Sequence, residues 1–126
     1  MVRQRRRLLA HPSFRSFFEE ARAQLPARRL GLVPAKSGFR TGVVRIDDRL
    51  AVLTAARRVG RAPDRQAAYV LPPVPAHAAF VYVQLGERDF LFAPATALPA
   101  GGTTFVDTPS SKYQRFRRTF AAVDGG

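Results

Sequence analysis

The residues of this chain best suited to chemistry are its basic side chains. The 126 residues include 21 Lys and Arg but only nine Asp and Glu, which gives a net charge of +12. Residues 1–65 hold sixteen of the basic and five of the acidic side chains. Clustered cations attract polyanions, and arginine binds phosphate through paired hydrogen bonds. This distribution predicts a surface that binds phosphates.

Thirteen basic residues are the candidates for these phosphate contacts. They belong to the connector before the first predicted hairpin, to that hairpin with its exit loop, and to the last predicted helix. The candidates are Arg28, Arg29, Lys36, Arg40, Arg45, Arg49, Arg57, Arg58, Arg61, Arg65, Lys112, Arg115 and Arg118. Contacts of this kind hold a phosphate backbone without reading bases. We therefore expect a non-catalytic nucleic-acid-binding protein.

One pair of carboxylates, Asp47-Asp48, has a position that invites metal-dependent phosphodiester cleavage. Such cleavage needs several carboxylates around Mg²⁺ and a cation near the attacking water. The chain contains no acid-x-Lys sequence, no cysteine, and two histidines that are far apart. A tight turn explains the two aspartates equally well. We expect no catalytic residue, metal or cofactor, and Asp47 and Asp48 are candidates only if the protein is a nuclease.

The segment Phe80-Val81-Tyr82-Val83 is similar to the aromatic strand of RNA-recognition sheets, where rings stack on bases. The basic-Gly-aromatic residues that begin that motif are missing here. Because the strand is apolar on both faces, its rings are expected in the core rather than on a base-binding surface.

Helical spacing of apolar residues predicts one helix near each end of the chain. The first begins near Pro12, and the second opens at Thr108 with Pro109 in the first helical position. The two stripes consist of Phe14, Phe17, Phe18, Ala21 and Leu25, and of Tyr113, Phe116, Phe120 and Val123.

Between the helices, residues 43–47, 50–57, 67–71, 79–85, 90–93 and 103–106 have strand-like sequences. A tight turn at residues 86–89 predicts that Leu85 pairs with Phe90 and Val83 with Phe92. Since both faces of this hairpin are apolar, we expect helices to cover both sides of the sheet.

These elements predict an α/β (α+β) fold with a single mixed sheet of about five strands, flanked by an N-terminal and a C-terminal helix. Residues 11–126 would form one domain, preceded by a basic, flexible leader at residues 1–10. No apolar run is long enough to cross a bilayer, so no membrane partner is expected. The lack of cysteine fits a cytoplasmic location. The oligomeric state is not predicted.

The order of elements resembles the restriction-endonuclease-like (PD-(D/E)xK) fold. Arg45-Ile46-Asp47-Asp48 lies where that fold has its strand-ending Asp, and Lys112-Tyr113 resembles the start of its last helix. Val81-Tyr82-Val83 with residues 90–94 looks like its later hairpin. The resemblance implies DNA rather than RNA as the partner. Without an acid-x-Lys, it implies a degenerate member that binds but does not cleave.

Two other functions stay open. The chain could be a small interaction module that docks on an acidic protein, or a cryptic Mg²⁺-dependent nuclease. Nucleic-acid binding that weakens with salt separates the leading hypothesis from the first alternative. Cleavage that depends on Asp47 or Asp48 would favour the second.

Overall fold

The computed structural model of the protein describes residues 12–33, 42–59, 68–74 and 77–125, so the predicted leader lies outside the described residues. In chain order, the elements are α1 (Pro12–Gln24), β1 (Leu30–Val33), β2 (Gly42–Ile46), β3 (Arg49–Ala55), β4 (Arg57–Val59), β5 (Ala68–Leu71), β6 (Phe80–Gly86), β7 (Asp89–Pro94), a 3₁₀ turn (Ala95–Ala97), β8 (Thr103–Val106), a second 3₁₀ turn (Gln114–Phe116) and α2 (Ala122–Gly125).

Five strands form one mixed sheet, the large sheet, in the order β1-β2-β3-β6-β7. Strands β3 and β6 run parallel, and the other neighbours are antiparallel. The predicted α+β fold with a mixed sheet of about five strands is confirmed, and a helix near each end of the chain packs on one face of this sheet. The sequence did not predict β1, which is only four residues long and contains Gly31.

A second sheet, the small sheet, was not expected. The strand predicted at residues 50–57 divides at Ala56, and its last part becomes β4 of an antiparallel sheet ordered β4-β5-β8. The Ala56 N–H still donates to the carbonyl oxygen of Gln84 in β6 at 2.9 Å, and the chain then leaves the large sheet.

The predicted register of the β6–β7 hairpin was wrong by one residue. Gly86 pairs with Asp89 around a two-residue turn, and Gln84, not Leu85, lies opposite Phe90. The irregularity between Gln84 and Gly86 is a bulge at Leu85, and a shift of one residue exchanges the faces of a strand. Phe90 and Phe92 therefore lie on the same face as Tyr82.

This register builds the first core, the helix-side core, between the large sheet and α1. Phe80 stacks with Phe92 and Tyr82 with Phe90, at ring-centroid distances of 5.2 and 4.9 Å. Four members of the predicted apolar stripe of α1, Phe17, Phe18, Ala21 and Leu25, pack on these rings, and the side chain of Phe14 lies outside the described part. The buried members are Phe17, Phe18, Ala21, Leu25, Val44, Ile46, Ala51, Leu53, Phe80, Tyr82, Phe90, Phe92, Phe120 and Val123.

One polar contact lies inside the helix-side core. The hydroxyl groups of Ser16 and Tyr82 form a hydrogen bond of 2.6 Å. Burial raises the pKa of Tyr82 to about 12, although the bond to Ser16 opposes this shift. The phenol is therefore a neutral, structural group at physiological pH.

The opposite face of the large sheet is covered by the small sheet, not by a helix as predicted. This second core, the sheet-side core, consists of Tyr69, Leu71, Val81, Val83, Leu85, Leu91, Ala93, Leu98, Phe105 and Tyr113. Within the small sheet, the chain just before β8 passes close to β5 at Gly102, whose φ of +88° and approach to the Leu71 carbonyl leave no room for a Cβ.

The helix predicted from Thr108 is also wrong, and its apolar stripe explains why. Tyr113 is buried in the sheet-side core, whereas Phe120 and Val123 are buried in the helix-side core. These cores lie on opposite faces of the large sheet, so one straight helix cannot serve both. The chain instead forms a 3₁₀ turn, passes the edge of β7 through a bridge between Arg117 and Leu91, and ends in the four-residue α2.

Residues 118–125, called the C-terminal strap, cross the helix-side core. The side chain of Gln24 donates to the carbonyl oxygen of Arg118 at 3.1 Å and accepts from the N–H of Phe120 at 3.1 Å. Phe120 is 1% exposed and Val123 is 3% exposed. Two buried side chains and the two hydrogen bonds of Gln24 therefore hold the strap against α1 and the large sheet.

We predict that Phe120→Ala lowers the free energy of unfolding by about 3–5 kcal/mol, because it removes a fully buried ring and leaves a cavity. Val106→Ala is the control, because Val106 is 46% exposed; its cost is expected to stay below about 0.5 kcal/mol. Urea unfolding followed by circular dichroism measures both. If both variants lose the same free energy of unfolding, Phe120 does not stabilise the helix-side core.

Candidate nucleic-acid interface

Nine of the thirteen predicted phosphate-binding residues are among the described residues. Lys36, Arg40, Arg61 and Arg65 lie outside them. The nine divide between opposite ends of the large sheet, with two on the second 3₁₀ turn and its approach.

The first group lies at the Asp47-Asp48 turn, which joins β2 to β3 as predicted; this end of the large sheet is called the turn end. Asp47 adopts a left-handed φ of 56°, a conformation that Asp tolerates better than most residues. Its carboxylate accepts hydrogen bonds from the backbone N–H of Arg29 at 3.0 Å and from the guanidinium of Arg28 at 2.8 Å. Both bonds lower the pKa of Asp47 below its ordinary value, and the bond from the Arg29 N–H has the larger effect.

Arg49 also belongs to the turn end. Its guanidinium lies 5.1 Å from the ring centroid of Phe80 and donates to the carbonyl oxygen of Val123 at 3.3 Å. Arg28 binds the carboxylate of Asp124, so both arginines contact α2. Arg45 is exposed and projects from the opposite face of β2, since Val44 and Ile46 face the helix-side core.

The second group lies at the other end of the large sheet, where β3 passes into β4; this end is called the junction end. Arg57 and Arg58 are consecutive, exposed residues of β4, an edge strand of the small sheet. Arg57 pairs with Val70 and Arg58 with Tyr69, so their side chains leave opposite faces of the strand. Neither arginine forms an ion pair with a described carboxylate.

Strand geometry separates the two groups. Arg57 follows Arg49 by eight residue steps of largely extended chain, a length of about 26 Å at about 3.3 Å per step. The predicted hairpin patch is therefore not a single cluster among the described residues.

Arg118 lies at the junction end and links the C-terminal basic residues to Arg57. The N–H of Ala56 donates to the carbonyl oxygen of Gln84 in β6, and Gln84 pairs with Phe90 in β7. The N–H of Arg118 in turn donates to the carbonyl oxygen of Phe90 at 2.9 Å. Three steps of about 4.8 Å place the backbones of Ala56 and Arg118 about 14 Å apart.

Arg88 is a basic residue of the junction end that sequence reasoning missed. It is exposed in the two-residue turn between β6 and β7. Arg88 was not a candidate because it lies between two acidic residues in the sequence, Glu87 and Asp89. In the structure, Asp89 forms ion pairs with Arg117 and Arg118 and not with Arg88.

Arg117 holds the two sheets together. Its guanidinium forms two hydrogen bonds with Asp89 at the start of β7, at 2.9 and 2.6 Å, and one with Asp107 just after β8, at 2.6 Å. The bond to Asp89 is the main cause of a raised pKa for Arg117. Burial disfavours the charged form of Asp89, but hydrogen bonds from Arg117 and Arg118 outweigh it and lower its pKa.

Lys112 and Arg115 are exposed, but each lies over an aromatic ring. The Lys112 ammonium is 5.3 Å from the Tyr113 ring centroid, and the Arg115 guanidinium is 4.6 Å from that of Phe116. These contacts leave both charges at the surface beside the sheet-side core.

The aromatic strand is not a base-stacking surface. Phe80 is 2% exposed and Tyr82 is fully buried, which confirms that both rings belong to the core. Among the described residues, Val106 is the sole large hydrophobic side chain that is exposed.

The two nuclease candidates differ in their surroundings. One oxygen of Asp47 accepts from the Arg28 guanidinium and the other from the backbone N–H of Arg29, and the adjacent Arg28 charge disfavours a bound cation. Asp48 is exposed. Within the described ranges, no three His, Cys, Asp or Glu side chains are grouped to hold a metal ion.

No protein-family model matches the chain, and no match was found among curated proteins or solved structures. The resemblance to the restriction-endonuclease-like fold therefore stays a prediction. In the described ranges, no helix has the length and apolar character needed to cross a membrane.

We predict that Arg117→Met lowers the free energy of unfolding by about 3 kcal/mol, because it leaves the half-buried Asp89 without its main partner. Lowered folded-state pKa values of Asp89 and Asp107 stabilise the native state above the unfolded pKa of about 3.9. This stability is lost as the pH falls through the folded values. Unfolding measured from pH 7 to pH 2 should show this acid loss in the wild type and a smaller loss in Arg117→Met.

Arg118→Met is the matched control, because Arg118 binds the same carboxylate but its side chain is 63% exposed. Its cost should stay below about 1 kcal/mol. A larger effect for Arg118→Met than for Arg117→Met would contradict the role given to Arg117.

Proposed function

We propose that this protein binds the phosphate backbone of nucleic acid with the arginines of its junction end, Arg57, Arg58 and Arg88, and that it does not cleave it. One observation carries the proposal: Arg57 and Arg58 are adjacent and exposed, and no described carboxylate pairs with them. Guanidinium groups form paired, charge-assisted hydrogen bonds with phosphate oxygens, and from the two faces of an exposed edge strand they can reach separate phosphates.

The way the acids are used elsewhere supports this choice of surface. Four aspartates form the described ion pairs, and their arginine partners are Arg28, Arg117 and Arg118. These arginines hold segments of the fold together. The arginines of β4 have no such structural task beyond keeping a sheet edge from pairing, so their charge is available to a ligand.

The sequence next to β4 adds to this positive charge. Arg61 and Arg65 follow β4 within a few residues, and Asp64 is the one acid in that stretch. Although these residues lie outside the described ranges, their proximity in the chain to Arg58 supports a basic site centred on β4.

The proposed contacts are with phosphates rather than bases, because the aromatic rings whose exposure the structure describes, Phe14 not among them, are buried or half-buried. Binding of this kind depends little on base sequence and strongly on salt. We propose duplex DNA as the ligand, in line with the layout resemblance, and a cytoplasmic setting in line with the lack of cysteine.

We predict that Arg57→Gln/Arg58→Gln weakens binding to a labelled DNA duplex by about tenfold or more at low salt, and equally for unrelated base sequences, because charge-assisted phosphate contacts are lost. The slope of log affinity against log salt should become shallower by about 0.9 for each lost contact. Fluorescence anisotropy at several salt concentrations measures both quantities.

Arg15→Gln/Arg22→Gln is the matched control, because it removes the same charge from exposed positions of α1. It should change the slope little. If both double variants weaken binding equally, net charge rather than a β4 site drives binding. If the wild-type protein fails to bind duplex DNA or RNA at low salt, the proposed function is wrong.

A second candidate function is docking on an acidic protein. The outer face of the small sheet carries Val59, Ala68, Val70 and the exposed Val106, beside Arg57. An apolar strip next to a cation is complementary to a partner with apolar and acidic side chains. Val106→Gln separates the candidates, since nucleic-acid binding should not depend on this valine.

The cryptic nuclease has a direct test. Incubation with plasmid DNA and Mg²⁺ or Mn²⁺ should leave the DNA intact if the protein only binds. Cleavage that Asp48→Ala abolishes would overturn the non-catalytic proposal.

A further inference from the structure

We infer that Arg28, at the turn end, is a second phosphate-binding site whose present ligand is the carboxylate of Asp124. The inference concerns a site separate from the β4 arginines. For its relevance to nucleic acid, it rests on the proposed function. An incoming phosphate would take the place of the Asp124 carboxylate, which therefore acts as an internal competitor.

The two carboxylates on Arg28 are held very differently. Asp47 is bound both by Arg28 and by the backbone N–H of Arg29, and its side chain is 34% exposed. The side chain of Asp124 is 68% exposed, and Arg28 is its one side-chain partner among the described residues. Asp47 is therefore fixed by the fold, whereas Asp124 can be exchanged.

The surroundings of Arg28 suit an anion. Arg28 and Arg49 converge on consecutive residues of α2, one on the Asp124 carboxylate and the other on the Val123 carbonyl. Both of these groups are hydrogen-bond acceptors, as are phosphate oxygens. Arg29 is exposed and follows Arg28 in the chain, so it adds a third positive charge at the turn end.

The exchange does not require the fold to open. Val123 and Phe120 stay anchored in the helix-side core, where they are 3% and 1% exposed. A rotation of the Asp124 side chain is enough to free one side of the Arg28 guanidinium. Asp47 continues to orient the rest of that group, so the site is preorganised for the next anion.

Inorganic pyrophosphate tests this site independently of nucleic acid. In Asp124→Asn, the Nε–Hε NMR signal of Arg28 should shift on titration and saturate at a concentration at least about fivefold lower than in the wild type, because the competing charge is gone. Asp48→Asn is the control, since it removes one exposed acid at the same turn and leaves the Arg28–Asp124 pair in place. Equal midpoints in Asp124→Asn and Asp48→Asn would overturn the inference.

A DNA duplex tests whether the site belongs to the nucleic-acid footprint. Asp124→Asn should bind several-fold more tightly than Asp48→Asn, and its salt slope should steepen by about 0.9, which corresponds to one added phosphate contact. The gain should vanish when Arg28→Gln is added to Asp124→Asn.

The outcomes separate the two proposals. If the wild type binds DNA with a steep salt slope but Asp124→Asn behaves as Asp48→Asn with both probes, the Arg28 site is wrong and the proposed function stands. If DNA does not bind at low salt while pyrophosphate shows the predicted difference, the proposed function is wrong and the Arg28 anion site stands.

Discussion

The burial of strand β6 on both faces is the constraint on which the rest of the structure depends. Four consecutive residues from Phe80 to Val83 are at most 2% exposed. Successive side chains of a strand point to opposite faces, so two separate layers must cover this one strand. α1 and the C-terminal strap cover one face, and the small sheet covers the other. The chain after β8 contributes buried side chains to both layers, which explains why it crosses from one face of the large sheet to the other.

The same architecture determines how the arginines are used. Arg117 links the start of β7 to the end of β8 and thereby fastens the two sheets. Arg28 joins the turn end to the C-terminal strap through Asp47 and Asp124. Such contacts use most of the aspartates and leave the arginines of β4 exposed without a described acidic partner. The proposed binding surface thus consists of arginines that form no ion pair within the described part of the fold.

Local patterns predicted those parts of the fold that depend on local chemistry. The apolar stripe of α1, the Asp47-Asp48 turn and the positions of most strands follow from spacing and turn residues. The register of β7 was missed because one bulge at Leu85 reverses its faces. The helix expected from Thr108 was wrong because its stripe is shared between two cores, which only the tertiary arrangement shows. The second sheet was missed because β3 and β4 read as one continuous strand.

The sequence predicts which arginines are candidates for the site, but not how they are arranged. Sequence located the arginines, yet the acid that pairs with Arg28 at the strap lies 96 residues away in the chain. Contacts over such separations decide which charges are used by the fold, and no local pattern reveals them. Arg88 was overlooked for the same reason, since its adjacent Asp89 is bound by other arginines.

We propose that the junction end, and β4 in particular, contacts a phosphate backbone. Titration of the wild-type protein with a short DNA duplex, followed by backbone and arginine side-chain NMR signals, tests it most directly. We expect the largest shifts at Arg57, Arg58 and Arg88, and we expect added salt to reverse them. Shifts confined to α1 or to the outer face of the small sheet at Val106, or no shifts at low salt, would contradict it.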